Sequence, residues 1–138
     1  DHGLIAPVIA LVCWSLVVMA WLGYERVRNI LRLRLSPDAG KFARDLDALM
    51  PDRARQVSAN HMHLMEQPTL FYAICLTLAL LGLGDGSNLT LAWVYVGLRV
   101  LHSLVQALFN RIEVRFALFI LSSLALIGLT FNAARALL

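Results

Sequence analysis

From Leu4 to Leu22, nineteen consecutive residues carry no formal charge. Three comparable runs follow: Gln67 to Gly84, Leu89 to Phe109 with Arg99 as its one charged residue, and Phe116 to Ala134. A stretch of about 20 apolar residues is what a helix needs to cross about 30 Å of hydrocarbon, where every backbone N–H and C=O must be bonded inside the segment. Four such runs leave little of a 138-residue chain for anything else. Hydrophobic residues make up 59% of it, against roughly 45 to 50% in a soluble domain. The 15% share of charged residues also excludes a disordered, solvated chain. No strand-like alternation and no internal repeat competes with the helical reading. The expected fold class is an all-α membrane protein, a four-transmembrane-helix bundle in a single domain over 1–138, with helices at about 4–35, 52–83, 89–110 and 114–136.

The basic residues set an expected orientation. The connection at about 25–62 holds Arg26, Arg28, Arg32, Arg34, Lys41, Arg44, Arg53 and Arg55. The Gly-rich turn near Gly82 to Gly86 holds none, and the last connection holds Arg111 and Arg115. Because basic loops stay on the cytoplasmic side, the helix 1–2 and helix 3–4 connections are expected to face the cytoplasm, with Arg135 as a weak dissent. The net charge of +3 is thereby read as topology and not as nucleic-acid binding. The first run is too long for a signal-peptide core and has no obvious small-residue cleavage site.

Local signals refine the connections. Val27, Ile30, Leu31 and Leu35 against Arg28 and Arg32 continue the first helix beyond the membrane, with arginine stems lying along the interface. Ser36 to Gly40 breaks it, a short helical stretch around Phe42 to Met50 is expected, and Pro51 with Asp52 opens a new helix. Pro68 removes a backbone donor and crowds the carbonyl of Leu64, so a kink is expected there.

Chemistry must reside in the polar residues that a bilayer makes expensive. Arg99 lies near the middle of its run, where an unpaired arginine costs about 2.5 to 3.5 kcal/mol on insertion scales, so it must face protein or water. At 100° per residue, Arg99, His102, Gln106, Asn110 and Glu113 share an arc of about 80°. Gln56, Asn60, His63 and Gln67 share an arc of about 60° on the preceding helix, with Glu66 about 60° beyond. Two polar stripes of this kind can satisfy each other. A structural ion pair between Arg99 and Glu66 that fixes helix register is the alternative to a functional role. No metal site is expected, because His61 points about 160° away from His63 on a helix. Cys13 and Cys75 lie in apolar runs without a metal or redox spacing and are read as small buried hydrophobes. Phe109, Phe116 and Phe119 are read as lipid-facing or helix-packing. There is no Ser/His/Asp triad, phosphate-cradling Gly loop or basic-aromatic nucleic-acid surface.

The run Asn60-His61-Met62-His63-Leu64-Met65-Glu66-Gln67-Pro68-Thr69-Leu70-Phe71-Tyr72-Ala73 resembles the MAPEG family, the membrane-associated proteins of eicosanoid and glutathione metabolism. Tyr95 to Ser103, followed by Asn110-Arg111 and Arg115-Phe116, is similar to the same family's second signature. The resemblance covers nearly the whole chain. It implies a homotrimer in a bacterial inner membrane, with glutathione as co-substrate between protomers and a lipophilic electrophile arriving from the lipid bilayer. By motif position Glu66 takes the place of the family's glutathione-contacting Glu and Arg99 that of its helix-3 Arg. Arg115 takes the place of the Arg that supports the thiolate, at a longer spacing. Asn60, His63, Glu66, Gln67, Arg99, His102 and Gln106 are the implied ligand-binding set, and Arg115 the implied catalytic residue.

Three positions depart from the glutathione-using members. His63 stands where they carry Asn, Ala59 where they carry Arg, and His102 where they carry Tyr. Three function classes therefore follow: a glutathione-dependent transferase or peroxidase acting on lipophilic substrates, a non-catalytic lipid-binding protein, and a transmembrane accessory subunit of a larger membrane complex.

Overall fold

The computed structural model describes residues 3–34, 48–109 and 111–137, and every regular element among them is a helix. The expected helical stretch around Phe42 to Met50 falls mostly outside the described residues, as do Leu35 and Asn110. The elements are α1 (Ile5–Leu33), α2 (Asp52–Glu66), α3 (Pro68–Leu80), α4 (Ser87–Leu104), a π-helical turn (Val105–Phe109) and α5 (Ile112–Leu137). Three helical segments are long and apolar enough to cross a membrane: Ile5–Leu33, Ser87–Phe109 and Ile112–Leu137. The apolar run after Gln67 is helical only over the 13 residues of α3, about 20 Å at 1.5 Å per residue, and is not one of them.

α1 has 29 residues, about 44 Å of helix, so its arginine-rich end outruns a hydrocarbon core of about 30 Å. Its buried face steps through Leu11, Ser15, Val18, Leu22, Glu25 and Asn29, the three- and four-residue spacing that keeps side chains on one side. Arg34 ends it in the left-handed conformation, φ 52°, with its N–H directed at the carbonyls of Ile30 and Leu31.

The helix expected over 52–83 is interrupted at Gln67. Pro68 cannot donate to the carbonyl four residues back, and the local bonds shorten: Leu70 N–H donates to Gln67 O at 2.9 Å and Thr69 Oγ1 to Glu66 O at 2.7 Å. The turn after α3 requires positive φ at Gly82 (75°) and Gly86 (61°), which glycine adopts without a Cβ clash.

The core gathers Leu11 and Val18 of α1, Phe71, Cys75 and Leu78 of α3, Tyr95 and Val96 of α4, and Leu126 and Leu129 of α5. Phe71 stacks on Tyr95 with ring centroids 4.4 Å apart and planes 10° from parallel. Cys75 is buried as expected, whereas Cys13 is exposed because its position on α1 turns away from the buried face. Large apolar side chains cover the outside, with Leu80, Leu31 and Phe131 well exposed, as suits a surface that lipid covers.

α4 and α5 approach closely at Gly128, where an added Cβ would meet Leu91 Cδ1 at 3.2 Å. Small residues permit such approaches in membrane helix pairs. Gly128→Ala is expected to cost little, since a flexible methyl can give way, whereas Gly128→Leu should lose about 1 to 3 kcal/mol in detergent unfolding by forcing α4 and α5 apart.

Candidate functional site

The polar residues converge where α2, α4, the π-helical turn and the start of α5 meet. Pro51, at φ −65° and ψ 163°, launches α2, which has Asp52 in its first turn and places Asn60, His63 and Glu66 along its length. Gly86 launches α4, which turns Arg99, His102 and Ser103 inward. The π-helical turn then adds a residue to the winding and directs Gln106 inward. The polar stripe expected to run on to Asn110 and Glu113 is cut by this turn: Glu113 belongs to α5 and is exposed. Regular 100° spacing cannot carry across an added residue.

Arg99 is only 2% exposed, and its Nη2 donates to the backbone carbonyl of His63 at 3.3 Å. No Arg99–Glu66 ion pair closes among the described residues; Glu66 is exposed at the end of α2, and the guanidinium reaches main chain instead. The His63 and His102 rings meet edge to face, centroids 5.8 Å apart and planes at 69°. His102 is buried, while His63 is exposed toward a recess of about 350 Å³. It is lined by the polar His63, His102 and Arg115 and by the apolar Ile112, Phe116 and Phe119, with Arg115 on the same face of α5 as the apolar three. Phe116 and Phe119, read from sequence as lipid-facing or packing, thus form an apolar wall.

α2 itself lies outside the membrane-spanning helices. Partial withdrawal of the His63 ring from solvent lowers its pKa from the usual 6.5, the Arg99 guanidinium adds to this, Glu66 opposes it and Arg115 adds again. His63 is therefore neutral at neutral pH.

Behind the recess the side chains are buried without partners of their own. Asn60 Oδ1 and Nδ2, Arg99 Nε, His102 Nδ1, Ser103 Oγ and Gln106 Oε1 are all buried and make no hydrogen bond among the described residues. Buried polar atoms are nearly always satisfied, so this concentration in one place sets the region apart from an ordinary apolar core. Gln67 is engaged differently. Tyr95 donates to its Oε1 at 3.0 Å and its Nε2 donates to Ser123 Oγ at 2.8 Å, which ties the α2–α3 break to α4 and α5.

Sequence reasoning missed Ser103 and the buried pair Glu25 and Asn29. Asn29 Nδ2 donates to the Glu25 carbonyl at 2.7 Å, and Arg26 Nη2 donates to Ser58 Oγ at 3.2 Å, linking α1 to α2. The signal was the continuation of the Leu11-Ser15-Val18-Leu22 spacing into the arginine-rich end of α1. Among the described residues no three His, Cys, Asp or Glu side chains are grouped as metal ligands would be.

The model of the MAPEG family matches residues 4–135. No match was found among curated proteins or among solved structures. With the family match running over nearly the whole length, this all-helical membrane chain belongs to the MAPEG family.

Proposed function

We propose that the protein is a glutathione-dependent transferase or peroxidase that acts on lipophilic electrophiles in the inner membrane. It does so as a homotrimer in which the short α3 makes the second of four crossings, the bilayer thinning to meet it, and the helix 1–2 and helix 3–4 connections face the cytoplasm. The observation that carries this reading is the recess whose lining joins the polar Arg115, His63 and His102 to the apolar Ile112, Phe116 and Phe119. A thiol nucleophile and an apolar electrophile need opposite surroundings within one reach, and the recess offers both.

The residues present fit glutathione. Its carboxylates call for cations, which Arg115 in the recess and the buried Arg99 supply, and its peptide groups call for donors and acceptors, which the Asn60 amide and the unpartnered Gln106 Oε1 supply. Glu66, at the end of α2, is the carboxylate we assign to the amino group. Gln67 serves this set by holding the α2–α3 junction, through Tyr95 and Ser123.

Arg115 stabilises the thiolate by its charge, and Ile112, Phe116 and Phe119 seat the electrophile. In conjugation the S–H bond is broken, a C–S bond forms at the electrophilic carbon, and the leaving group departs with the electron pair of its own bond. The test is purified protein in detergent with glutathione and an aryl halide. Turnover together with a rise in melting temperature at millimolar glutathione supports the reading; absence of both overturns it. Arg115→Ala is expected to lower turnover about 100-fold while leaving the yield of folded protein near wild type. Equal losses in both would make Arg115 a structural residue.

A second reading has its own observation. An apolar groove of about 640 Å³ between α3 and α5, with Leu70, Ile74, Leu126 and Phe131 in its wall, suits an acyl chain and favours a non-catalytic lipid binder. Lipid retention through purification with no glutathione response would select it.

A further inference from the structure

We infer that His63 is the general base of this site, the group that takes the proton of the substrate thiol before the C–S bond forms. The inference rests on the proposed glutathione chemistry and deepens it by assigning the proton.

Three observations bear on it. His63 and Arg115 line the same recess from α2 and α5, so the cation that stabilises a thiolate and a proton acceptor for the thiol open on one space. Its ring stands edge to face against the buried His102 ring, 5.8 Å between centroids, which fixes its attitude without using the solvent side of the imidazole. The backbone carbonyl of His63 accepts from Arg99 Nη2 at 3.3 Å, which pins the main chain at this turn of α2. The imidazole itself is not the acceptor in that bond and stays available.

The charges around it favour the neutral ring. Glu66 faces it from its own helix, Arg99 and His102 from α4, and Arg115 from α5; the π-helical turn contributes no titratable group. Burial and the two arginines together outweigh Glu66, so the imidazole is unprotonated at neutral pH and can accept a proton.

The step balances without another reagent. The thiol proton passes to an imidazole nitrogen of His63, the sulfur electron pair attacks carbon to form C–S, and the leaving group departs as an anion. The imidazolium then releases its proton to solvent, and the sum is conjugate, anion and one proton. The two histidine departures from the family's signatures, at positions 63 and 102, are the residues that build this arrangement.

The experiment compares wild type, His63→Gln and His63→Asn in detergent by conjugation of an aryl halide from pH 6 to pH 9, with the melting-temperature rise caused by millimolar glutathione as a separate readout. His63 is exposed and its Arg99 contact is main-chain, so both variants should fold, and a side-chain amide at position 63, where the glutathione-using members carry Asn, can still meet glutathione and should keep the glutathione-induced rise. Both variants are expected to lose about 100-fold in turnover at pH 7, the general-base share, and to regain rate as pH climbs toward the thiol's own range near 8.5. Wild type should already be on its plateau at pH 7. Variants that bind glutathione and keep the wild-type rate and profile overturn the base assignment alone. A wild-type protein that neither turns over nor responds to glutathione overturns both the assignment and the proposed function.

Discussion

Arg99→Met is expected to yield a stably folded protein that no longer responds to glutathione, whereas Arg99→Ala should yield a destabilised one. The guanidinium is 2% exposed, holds one bond to the His63 carbonyl at 3.3 Å and leaves Nε unpaired. A buried cation whose bonds are this incomplete contributes little to folding, and replacing it with an apolar side chain of similar volume is often neutral or stabilising. Methionine keeps the volume and adapts to the gap. Alanine removes the volume as well, and a cavity of that size costs about 2 to 5 kcal/mol. The melting temperature of Arg99→Met in detergent should equal or exceed that of wild type and that of Arg99→Ala should fall by several degrees, with the glutathione-induced rise lost in both. Should Arg99→Met melt as low as Arg99→Ala, the charge supports the fold. Should it keep the glutathione response, Arg99 lies outside the glutathione shell.

Phe71→Ala should be the most damaging single change in the core. The ring is fully buried and stacked on Tyr95, and the Tyr95 hydroxyl donates to Gln67 Oε1 at 3.0 Å. Truncation removes the apolar burial and the stack, about 3 to 5 kcal/mol, and frees Tyr95 to leave the helix break. Phe71→Leu keeps most of the volume and should cost far less. Unfolding in a detergent series measures both. A loss below about 1 kcal/mol for the alanine variant would mean that α3 and α4 collapse onto the gap. A normal glutathione response in that variant would show that the Gln67 tie does not shape the recess.

The polar site was partly legible before any coordinates. A bilayer makes polar groups expensive, so Arg99, His102 and Gln106 stood out on one helical arc, and all three are buried on the same side. His63 stood out on the polar arc of the preceding helix and Arg115 as a site residue only through the motif, and both line a recess with His102. The apolar wall of Ile112, Phe116 and Phe119 was not legible as a wall. An apolar residue in a spanning helix looks alike whether it faces lipid, another helix or a ligand.

Helical class, the apolar spans and the interruption at Pro68 came from the sequence alone, because each depends on neighbours within about four residues: length of an uncharged run, a missing N–H, glycines at positive φ. The tertiary structure alone decided two things: that a π-helical turn ends the polar arc at Gln106, and that Arg99 bonds to a carbonyl and not to Glu66. Each of these is settled by packing between residues 36 or more apart or by one residue of extra winding, and periodicity is blind to both.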